Sequence, residues 1–333
     1  MWVVVKRGLR CAGPTQYHEL LMQLRDFLHR TSTAPDVASV LEALAGGAAE
    51  LADLLASAEV HSHNLGNHGL ANATGDTQQK IDVIADDKFL ELLRELPCVA
   101  WIGSEEQEQL VPAHAGANLF VTYDPLDGSS NLNAHIPTGT IFGIWRATAD
   151  LPKQMPSGAQ LLAAGYVMYS RAVVLVASTG QEPFVASLDP GSRQWMVTRE
   201  KIHVPDKLAC YSVNEANLEA MDSVTQTTIR SFHGRTSLRY VGSMVADIHR
   251  NLLYGGLFSY PADKKNPAGK LRYFYECAPL GWLYEKAGGR AFDGRQRLLD
   301  AQHNELHARS PIYLGSQSVV LAIEDAYKTA PQS

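Results

Sequence analysis

The segment Phe120–Asn131, which reads FVTYDPLDGSSN, constrains this chain more than any other. The β-branched and aromatic residues over 120–123 predict a strand. Pro125 has no backbone N–H and restricts Asp124 to extended conformations, so we expect the strand to leave its ladder there. Asp124 and Asp127 would then leave the strand end together. They stand directly before a Gly-Ser-Ser turn, which favours the start of a helix.

Two carboxylates beside a helix start suit two kinds of ligand. Carboxylate oxygens at this spacing suit a hard divalent cation such as Mg²⁺, and free backbone N–H groups at a helix N-terminus suit a phosphate. A metal site beside a phosphate site indicates phosphoryl chemistry. The alternative is a strand, an Asx turn and a capped helix with solvated acids, because short motifs recur by chance.

Composition limits the classes of protein and partner. A length of 333 residues exceeds the size at which single cores stop growing, which predicts two subdomains or one broad layered unit. No stretch approaches the roughly 18 apolar residues that a membrane span needs. The net charge of −6 provides no general basic field for nucleic acid. We therefore expect neither a membrane nor a nucleic acid as partner, and an anionic substrate would need a local basic pocket or metal ions.

The cysteines and the N-terminal residues bear on the compartment. Cys11, Cys98, Cys210 and Cys277 contain no CxxC pair, which predicts free thiols in a reducing compartment and a cytoplasmic protein. The opening MWVVVKRGLR carries three basic residues and no acid, but its apolar run is too short for a secretory signal. A plain tail and the remnant of an organellar leader both stay open.

Apolar spacing predicts the elements of the first part of the chain. Helices are expected over 17–29 and 37–58, and a Gly-, Asn- and His-rich exposed loop over 60–75. A helix over 77–95 and a strand over 97–102 follow. The remaining strand-like runs before residue 200 are 139–146, 162–168, 171–178, 182–188 and 194–198.

Strands and helices alternate from about residue 205. The predicted order is a strand ending at Asn214, a helix over 217–232, a strand over Arg239–Val241, a helix over 243–253, a strand over 257–260, a helix over 276–287 and a strand over 312–315. The pattern predicts a mixed α/β sandwich. Its two domains would be residues 15–204, which carry most of the acidic candidates, and residues 205–330.

Further acids stand at predicted element ends: Asp76 and Asp82 at a helix start, Glu105 and Glu106 after a strand, and Glu276 at another helix start. Each has an ordinary explanation alone. Consecutive carboxylates usually stay solvated, and an acid at a helix start interacts favourably with the helix dipole, by roughly 0.3–1 kcal/mol.

Taken together, these segments resemble the fructose-1,6-bisphosphatases, a family of Mg²⁺-dependent, lithium-sensitive sugar phosphatases. The matching segments are GDTQQKIDV (75–83), GSEE (103–106), DPLDGSSN (124–131), GTIFGIWR (139–146), YSVNEA (211–216), RYVGSMVADIHR (239–250), YPADKKNPAGKLRYFYECAP (260–279) and EKAGG (285–289). The resemblance implies an α/β (α+β) sandwich of alternating helix and mixed-sheet layers. It also implies a homo-oligomer, a tetramer or a dimer.

The resemblance implies two or three Mg²⁺ per subunit, with Mn²⁺ as an alternative. The implied ligands are the Leu126 carbonyl and the carboxylates of Glu105, Asp124, Asp127, Glu276 and, at a third position, Asp76. Neutralising charge on the transferred group is the main demand of phosphoryl transfer, and such a cluster meets it. Glu106 with Asp82 would orient and deprotonate the attacking water, and Asp76 would assist as a further catalytic acid.

The resemblance also implies the substrate contacts. Backbone N–H groups of Gly128, Ser129 and Ser130 would hold the 1-phosphate. The other implied contacts are Asn214, Tyr240 and Tyr260 at the distal phosphate, Arg239 reaching into the neighbouring subunit's site, Lys270 and Met244 at the sugar, and Arg272 near the metals. Lys264 and Lys265 are expected to be solvated surface residues.

The chain departs from the family pattern at regulatory positions. AMP-inhibited members carry a GTGEMT-like segment and a Lys-Tyr pair, where this chain has Ser32–Asp36 and Asn118–Leu119. We therefore expect no AMP inhibition. The redox cysteines of plastid members have no counterpart, so we expect no thioredoxin control. The loop with His61, His63 and His68 would be a solvated loop or a transition-metal site.

The expected reaction is hydrolysis of the 1-phosphate of fructose 1,6-bisphosphate. Ala278–Gly281 and Trp145 look closer to sedoheptulose-1,7-bisphosphatases, whose substrate differs by one carbon, a difference worth only a few kcal/mol of binding. An inositol-phosphate or nucleotide-phosphate phosphatase is disfavoured, because Glu276 stands where those enzymes usually have an Asp in a WD-type motif. A non-catalytic binding protein is disfavoured because Glu106 and Asp82 are both present.

Overall fold

The computed structural model describes residues 21–57, 67–71 and 77–330. Its strands are β1 (Met22–Gln23), β2 (Asn67–Ala71), β3 (Thr77–Gln79), β4 (Val99–Ser104), β5 (Val111–Pro112), β6 (Leu119–Asp127), β7 (Thr138–Arg146), β8 (Leu161–Tyr169), β9 (Val174–Ser178), β10 (Phe184–Leu188), β11 (Trp195–Arg199), β12 (Cys210–Ser212), β13 (Ser237–Leu238), β14 (Leu257–Tyr260), β15 (Leu271–Arg272), β16 (Gly289–Phe292), β17 (Arg309–Ser310) and β18 (Ile312–Ser316).

The α-helices are α1 (Leu24–Arg30), α2 (Pro35–Ser57), α3 (Lys80–Arg94), α4 (Ser223–Phe232), α5 (Met244–Tyr254), α6 (Ala278–Lys286) and α7 (Gln317–Thr329). Short 3₁₀-helices cover Ser129–Ala134, Gly158–Gln160, Glu215–Ala220 and Leu298–Asp300, and a π-helical turn covers Tyr273–Cys277. No helix among the described residues is long and apolar enough to span a bilayer.

Two mixed sheets organise the described part of the chain. The larger has nine strands in the order β1-β11-β10-β9-β8-β7-β6-β4-β5, and the smaller has five in the order β13-β12-β14-β18-β16. Most neighbouring strands of the larger sheet are antiparallel, but β4 and β6 are parallel. Parallel neighbours end at the same edge of a sheet, and this pair therefore places residues that follow β4 beside the end of β6.

Strand side chains alternate between separate hydrophobic cores. In β6, Tyr123 faces a core formed with α1, α2 and α3, whereas Phe120 faces a second core that contains residues of α5 and α6. In β18, Leu314 belongs to this second core and Tyr313 to a third core with α4 and α7. The layers are therefore helix, sheet, helix, sheet, helix, which confirms the predicted layered sandwich.

Helix α2 shows how the sequence determines one of these layers. Its buried residues recur at helical spacing, with Val40, Leu41, Leu44 and Leu51 on the stripe that faces the first core. Gly47 lies on the same stripe, and a Cβ there would stand 2.9 Å from the ring of Phe89 in α3. A residue without a side chain therefore lets the two helices pack closely.

The predicted and observed elements differ at several places. Short strands, β1 and β3, stand within the helices predicted over 17–29 and 77–95, and the helix predicted over 217–232 begins only at Ser223. Residues 67–71 form β2 within the segment predicted as a loop, and the strand predicted over Arg239–Val241 lies instead at Ser237–Leu238. The motif strand continues through Pro125 to Asp127. The domain boundary near residue 204 stays a prediction, because the second core contains residues from both sides of it.

Candidate metal and phosphate site

A β-bulge brings the two motif carboxylates to one side of β6. Asp124 pairs with Ile141 of β7, and Asp127 pairs with Gly139. The two paired positions are three residues apart in β6 but only two residues apart in β7, so β6 contains one extra residue. Residues three apart in a regular strand point to opposite faces, and the extra residue reverses that relation. Pro125 fits here because a bulge needs no ladder N–H from it. The predicted strand end was wrong, but the two carboxylates do meet.

Glu276 completes a cluster of buried carboxylates. Single oxygens of Asp124, Asp127 and Glu276 all lie within 4.8 Å of one another. One hydrogen bond joins the turn that carries Glu276 to β6, and a second orients the Glu276 side chain within that turn. Thr122 Oγ1 donates to the Phe274 carbonyl at 2.7 Å, and Arg272 N donates to Glu276 Oε2 at 2.5 Å.

Glu105 and Glu106 follow β4, and the parallel pairing of β4 with β6 brings them to the same sheet edge. Ser104 pairs with Tyr123, and Glu105 N donates to the Tyr123 carbonyl at 3.2 Å. Arg272 Nε lies 3.7 Å from Glu105 Oε1, with both side chains largely buried. Arg272 therefore lies beside one of the predicted metal ligands, and its role near the metals stays a prediction.

Asp82 and the Gly-Ser-Ser turn meet at the end of β6. Asp82 is buried in the first turn of α3, and Ser129 Oγ donates to its Oδ2 at 3.1 Å. Gly128 has φ 79°, a left-handed conformation that favours glycine, and starts a 3₁₀-helix rather than an α-helix. Asp76, the remaining acid of the predicted set, lies outside the described residues.

Burial and like charge raise the pKa values of Asp124 and Asp127. Burial is the largest cause for Asp124, whose pKa is well above its ordinary value, and the negative charges of Glu105, Asp127 and Glu276 raise it further. The pKa of Asp127 is raised to about 6, and burial is the largest cause. The hydrogen bond from Val245 N, which lies 3.0 Å from Asp127 Oδ2, opposes part of this increase.

The donor set fits a hard divalent cation. Buried carboxylates of one sign are costly to keep ionised together unless a positive charge joins them. The clustered ligand atoms are all carboxylate oxygens, which Mg²⁺ and Mn²⁺ prefer over the nitrogen and sulfur ligands of structural zinc sites.

A cavity of about 180 Å³ opens beside Asp127. Its lining comprises Asp127, Tyr240, Gly242, Met244, Asp247, Phe258, Tyr260, Lys270 and Leu271. Burial is the main cause that raises the pKa of Tyr240 to about 12, so this hydroxyl stays a neutral donor at physiological pH. The structure thus brings together four of the predicted substrate contacts beside a carboxylate of the acidic cluster.

The other six predicted substrate contacts do not line this cavity. Gly128, Ser129 and Arg272 lie at the acidic cluster as described above, and three more remain. The Asn214 side chain accepts from Ala216 N at 3.2 Å and caps a 3₁₀-helix. Arg239 is exposed, with its Nη1 donating to the Leu238 carbonyl at 3.3 Å, and Ser130 is exposed at the turn. Their predicted roles stay predictions.

Two residues beside the cavity lie in the matching segment 239–250 but are not among the predicted site residues. Asp247 is fully buried in the first turn of α5 and accepts from Val241 N at 2.9 Å and Gly242 N at 3.3 Å. In sequence it resembles an ordinary surface acid that pairs with Arg250 three positions later. Ser243 Oγ is buried without a hydrogen-bond partner among the described residues, and it would stand 3.2 Å from a Cβ at Gly128.

Comparison with protein families gives two adjoining matches. Residues 23–200 match the model described as the N-terminal domain of fructose-1-6-bisphosphatase, and residues 204–328 match the model of its C-terminal domain.

Curated relatives and solved structures agree with these matches. A cytosolic fructose-1,6-bisphosphatase of Solanum tuberosum is 42% identical over 282 residues, which are 81% of this chain and 83% of that protein. A chloroplastic fructose-1,6-bisphosphatase of Pisum sativum is 38% identical over 314 residues, 86% of this chain and 77% of that protein. The crystal structure of Leishmania major fructose-1,6-bisphosphatase in holo form superposes with a TM-score of 0.87 at 34% identity, covering 92% of this chain and 99% of that one.

Proposed function

Because the chain belongs to the fructose-1,6-bisphosphatase family, we propose that its acidic cluster holds the divalent cations with which it hydrolyses fructose 1,6-bisphosphate. The products are fructose 6-phosphate and phosphate. The observation that carries the site assignment is the set of three buried carboxylates within 4.8 Å of one another, beside a turn suited to a phosphate.

The family uses divalent cations, and Mg²⁺ is the ion that we propose, two or three per subunit, with Mn²⁺ as a substitute. The proposed ligands are the Leu126 carbonyl and the carboxylates of Glu105, Asp124, Asp127, Glu276 and Asp76. Bound Mg²⁺ would neutralise charge on the transferred phosphoryl group and on the leaving oxygen. Arg272, which lies 3.7 Å from Glu105, supplies a further fixed positive charge at this edge.

Other groups of the chain act on the attacking water and the 1-phosphate. Glu106 accepts the proton of the water, and Asp82, which receives a hydrogen bond from Ser129, helps to orient it. Asp76 is proposed as a further acid at this step. Backbone N–H groups of Gly128, Ser129 and Ser130 hold the phosphate oxygens where the 3₁₀-helix begins.

The cavity beside Asp127 is the proposed sugar site. Lys270 and Met244 contact the sugar, and the hydroxyl groups of Tyr240 and Tyr260 donate to the distal phosphate. Asn214, the remaining proposed contact of that phosphate, would have to turn from its capping position.

We propose that the chain forms a homo-oligomer, a tetramer or a dimer, in which Arg239 reaches the neighbouring subunit's site. Leu238 and Val241, close to Arg239 on either side, are 40% and 39% exposed, so a partner subunit could cover both side chains. We also propose a cytoplasmic location, which the cytosolic relatives support and the chloroplastic ones leave to experiment.

Phosphate release distinguishes the candidate substrates. We expect release with Mg²⁺ from fructose 1,6-bisphosphate, much less from sedoheptulose 1,7-bisphosphate and none from inositol monophosphate. The relatives named above are fructose enzymes, and the sedoheptulose alternative is not favoured. Preferred hydrolysis of the seven-carbon substrate would reverse the assignment, and release without any divalent cation would contradict the metal site.

A further inference from the structure

Helix α3 carries a second buried acid, Asp86, one turn after Asp82. The Asp86 side chain is only 2% exposed, although its neighbour Asp87 is exposed. Burial raises the pKa of Asp86, and three hydrogen bonds to its side chain lower it. A carboxylate is costly to bury, so its surroundings must compensate with donors.

Those donors come from the residues on either side of Glu105 and Glu106. Ser104 Oγ donates to Asp86 Oδ1 and Gln107 Nε2 to Asp86 Oδ2, each at 2.5 Å. Glu106 N donates in turn to Ser104 Oγ at 3.2 Å. One carboxylate therefore holds both ends of the two-residue segment that carries these glutamates.

The same network reaches the other strands of the site. Tyr123, the residue before Asp124, donates from its hydroxyl to Asp86 Oδ1 at 2.8 Å. The Gln107 carbonyl accepts from His307 Nε2 at 3.0 Å, and His307 Nδ1 accepts from the hydroxyl of Tyr275 at 3.3 Å. Tyr275 directly precedes Glu276.

We propose that Asp86 is a positioning residue, which fixes Glu105 as a metal ligand and Glu106 as the proton acceptor without touching the substrate. This inference rests on the proposed function and adds to it the group that sets the separation of the two glutamates from β6. The carboxylate is needed because it accepts at both oxygens. An amide of the same shape accepts at one oxygen only and presents an N–H group to the Gln107 donor.

The test is Asp86→Asn in the full chain, assayed with fructose 1,6-bisphosphate across a Mg²⁺ titration. We expect kcat to fall by about 10–100-fold, because small misplacements of catalytic groups cost rates of that order. The KM for the sugar bisphosphate should stay within about twofold, and the Mg²⁺ concentration for half-maximal activity should rise. A purely structural role would lower the active fraction without moving that concentration.

Two further variants make the test specific. Asp87→Asn removes the same charge from an exposed position of α3 and should behave like the wild type. The swap Asp86→Asn with Gln107→Glu returns a carboxylate to the pair, so that the amide at 86 donates to position 107. We expect kcat of this double variant to be at least tenfold higher than that of Asp86→Asn alone, and its response to Mg²⁺ to match the wild type.

If the Asp86→Asn protein does not fold, Gln107→Met replaces it as the test. This substitution removes one donor to Asp86 and keeps a side chain of similar length. Gln107→Met should also lower kcat, by a smaller factor than Asp86→Asn. Wild-type kcat and Mg²⁺ response in the folded Asp86→Asn protein would overturn the inference, as would a swap that recovers nothing. Absence of activity of the wild-type protein on fructose 1,6-bisphosphate would instead contradict the proposed function.

Discussion

The acidic cluster and the wall of the cavity beside Asp127 lie side by side but are built differently. Asp124 and Asp127 belong to a strand with hydrogen-bonded neighbours on both sides, and both are at most 9% exposed. The cavity wall near Tyr240 belongs to an irregular segment with exposed Val241 and Gly242. A paired strand therefore holds the charged groups in place, whereas an irregular segment forms part of the wall of the cavity, which is the proposed sugar site.

The two regions also differ in what holds them. The cluster is held by strand pairing and by several side-chain contacts, so the loss of one carboxylate leaves its backbone in place. The backbone N–H groups of Val241 and Gly242 both donate to one carboxylate, that of Asp247, which also accepts from Arg250 at 2.8 Å. The segment 239–243 has further hydrogen bonds, from Asn131 to the Gly242 carbonyl, from Arg250 to the Arg239 carbonyl and from Arg239 N to the Tyr211 carbonyl. Substitutions in the cluster should therefore change the chemical step, and substitutions at Asp247 should change substrate binding.

The largest effect is expected from Asp124→Asn. It removes a central cluster carboxylate, so phosphate release should fall by about 10³-fold or more. The metal-free protein should be as stable as the wild type or more so, because burial and neighbouring negative charges disfavour the ionised form of Asp124.

Activity assays and thermal unfolding in a chelator check both parts of this expectation. Asp150→Asn, at an exposed position, is the matched control and should change neither quantity. A strong loss of stability in the metal-free Asp124→Asn protein would show that the cluster holds the fold rather than the cations.

Glu106→Gln should have the next largest effect. The amide cannot accept the proton of the attacking water, so kcat should fall by about 10²–10⁴-fold. Calorimetric titration with Mg²⁺ should give nearly the wild-type affinity, because Glu106 is not among the proposed ligands. Wild-type turnover in this variant would show that Glu106 is not the proton acceptor.

Asp247→Asn should change binding more than chemistry. The amide retains one acceptor oxygen but loses the charge that attracts the backbone N–H groups and Arg250. The KM for fructose 1,6-bisphosphate should rise by about tenfold, and kcat should change by less than about threefold. Asp325→Asn, on the exposed side of α7, is the control. A fall in kcat at constant KM would contradict this distinction, because Asp247 would then affect the chemical step as the cluster does.

Acid should destabilise the helix that borders the cavity. Burial is the largest cause that lowers the pKa of His249 in α5 to about 4, and its neutral ring contacts the Tyr166 hydroxyl at 2.8 Å. The unfolded chain, with a pKa near 6.5, binds more protons between these values, so stability is full above about pH 6.5 and falls as the pH falls towards 4.

Thermal unfolding from pH 7 to pH 4 measures this dependence. His249→Gln should flatten it by about 2 kcal/mol. An unchanged pH profile in the variant would mean that other groups dominate acid unfolding.

The smallest expected effect is that of AMP. The two stretches that differ from AMP-inhibited relatives lie together, with Asn118 Nδ2 donating to Asp36 Oδ2 at 2.7 Å. A carboxylate there disfavours a nucleotide phosphate. Activity should stay unchanged with AMP at millimolar concentration, and inhibition at micromolar AMP would contradict the expectation.

The sequence alone predicts the elements with clear periodicity and the motifs with dense functional residues. The strand over 257–260 and the helix near 243–253 follow from apolar spacing. Asp124 and Asp127 follow from the motif at the end of their strand, and Glu276 as a ligand follows from the family resemblance. The bulge at Pro125 could not be predicted, since it depends on the register with β7. Asp86 could not be predicted either, because its donors are up to 37 positions away and become neighbours only when β4, β6 and α3 pack together.

Anomalous diffraction from crystals grown with Mn²⁺ tests the central claim most directly. The account predicts a strong peak among the carboxylates of Asp124, Asp127 and Glu276, at roughly 2.0–2.3 Å from their oxygens. The peak should be absent from crystals of Asp124→Asn. Mn²⁺ peaks only elsewhere, with these three carboxylates hydrogen-bonded to one another or to lysine and arginine side chains, would contradict it.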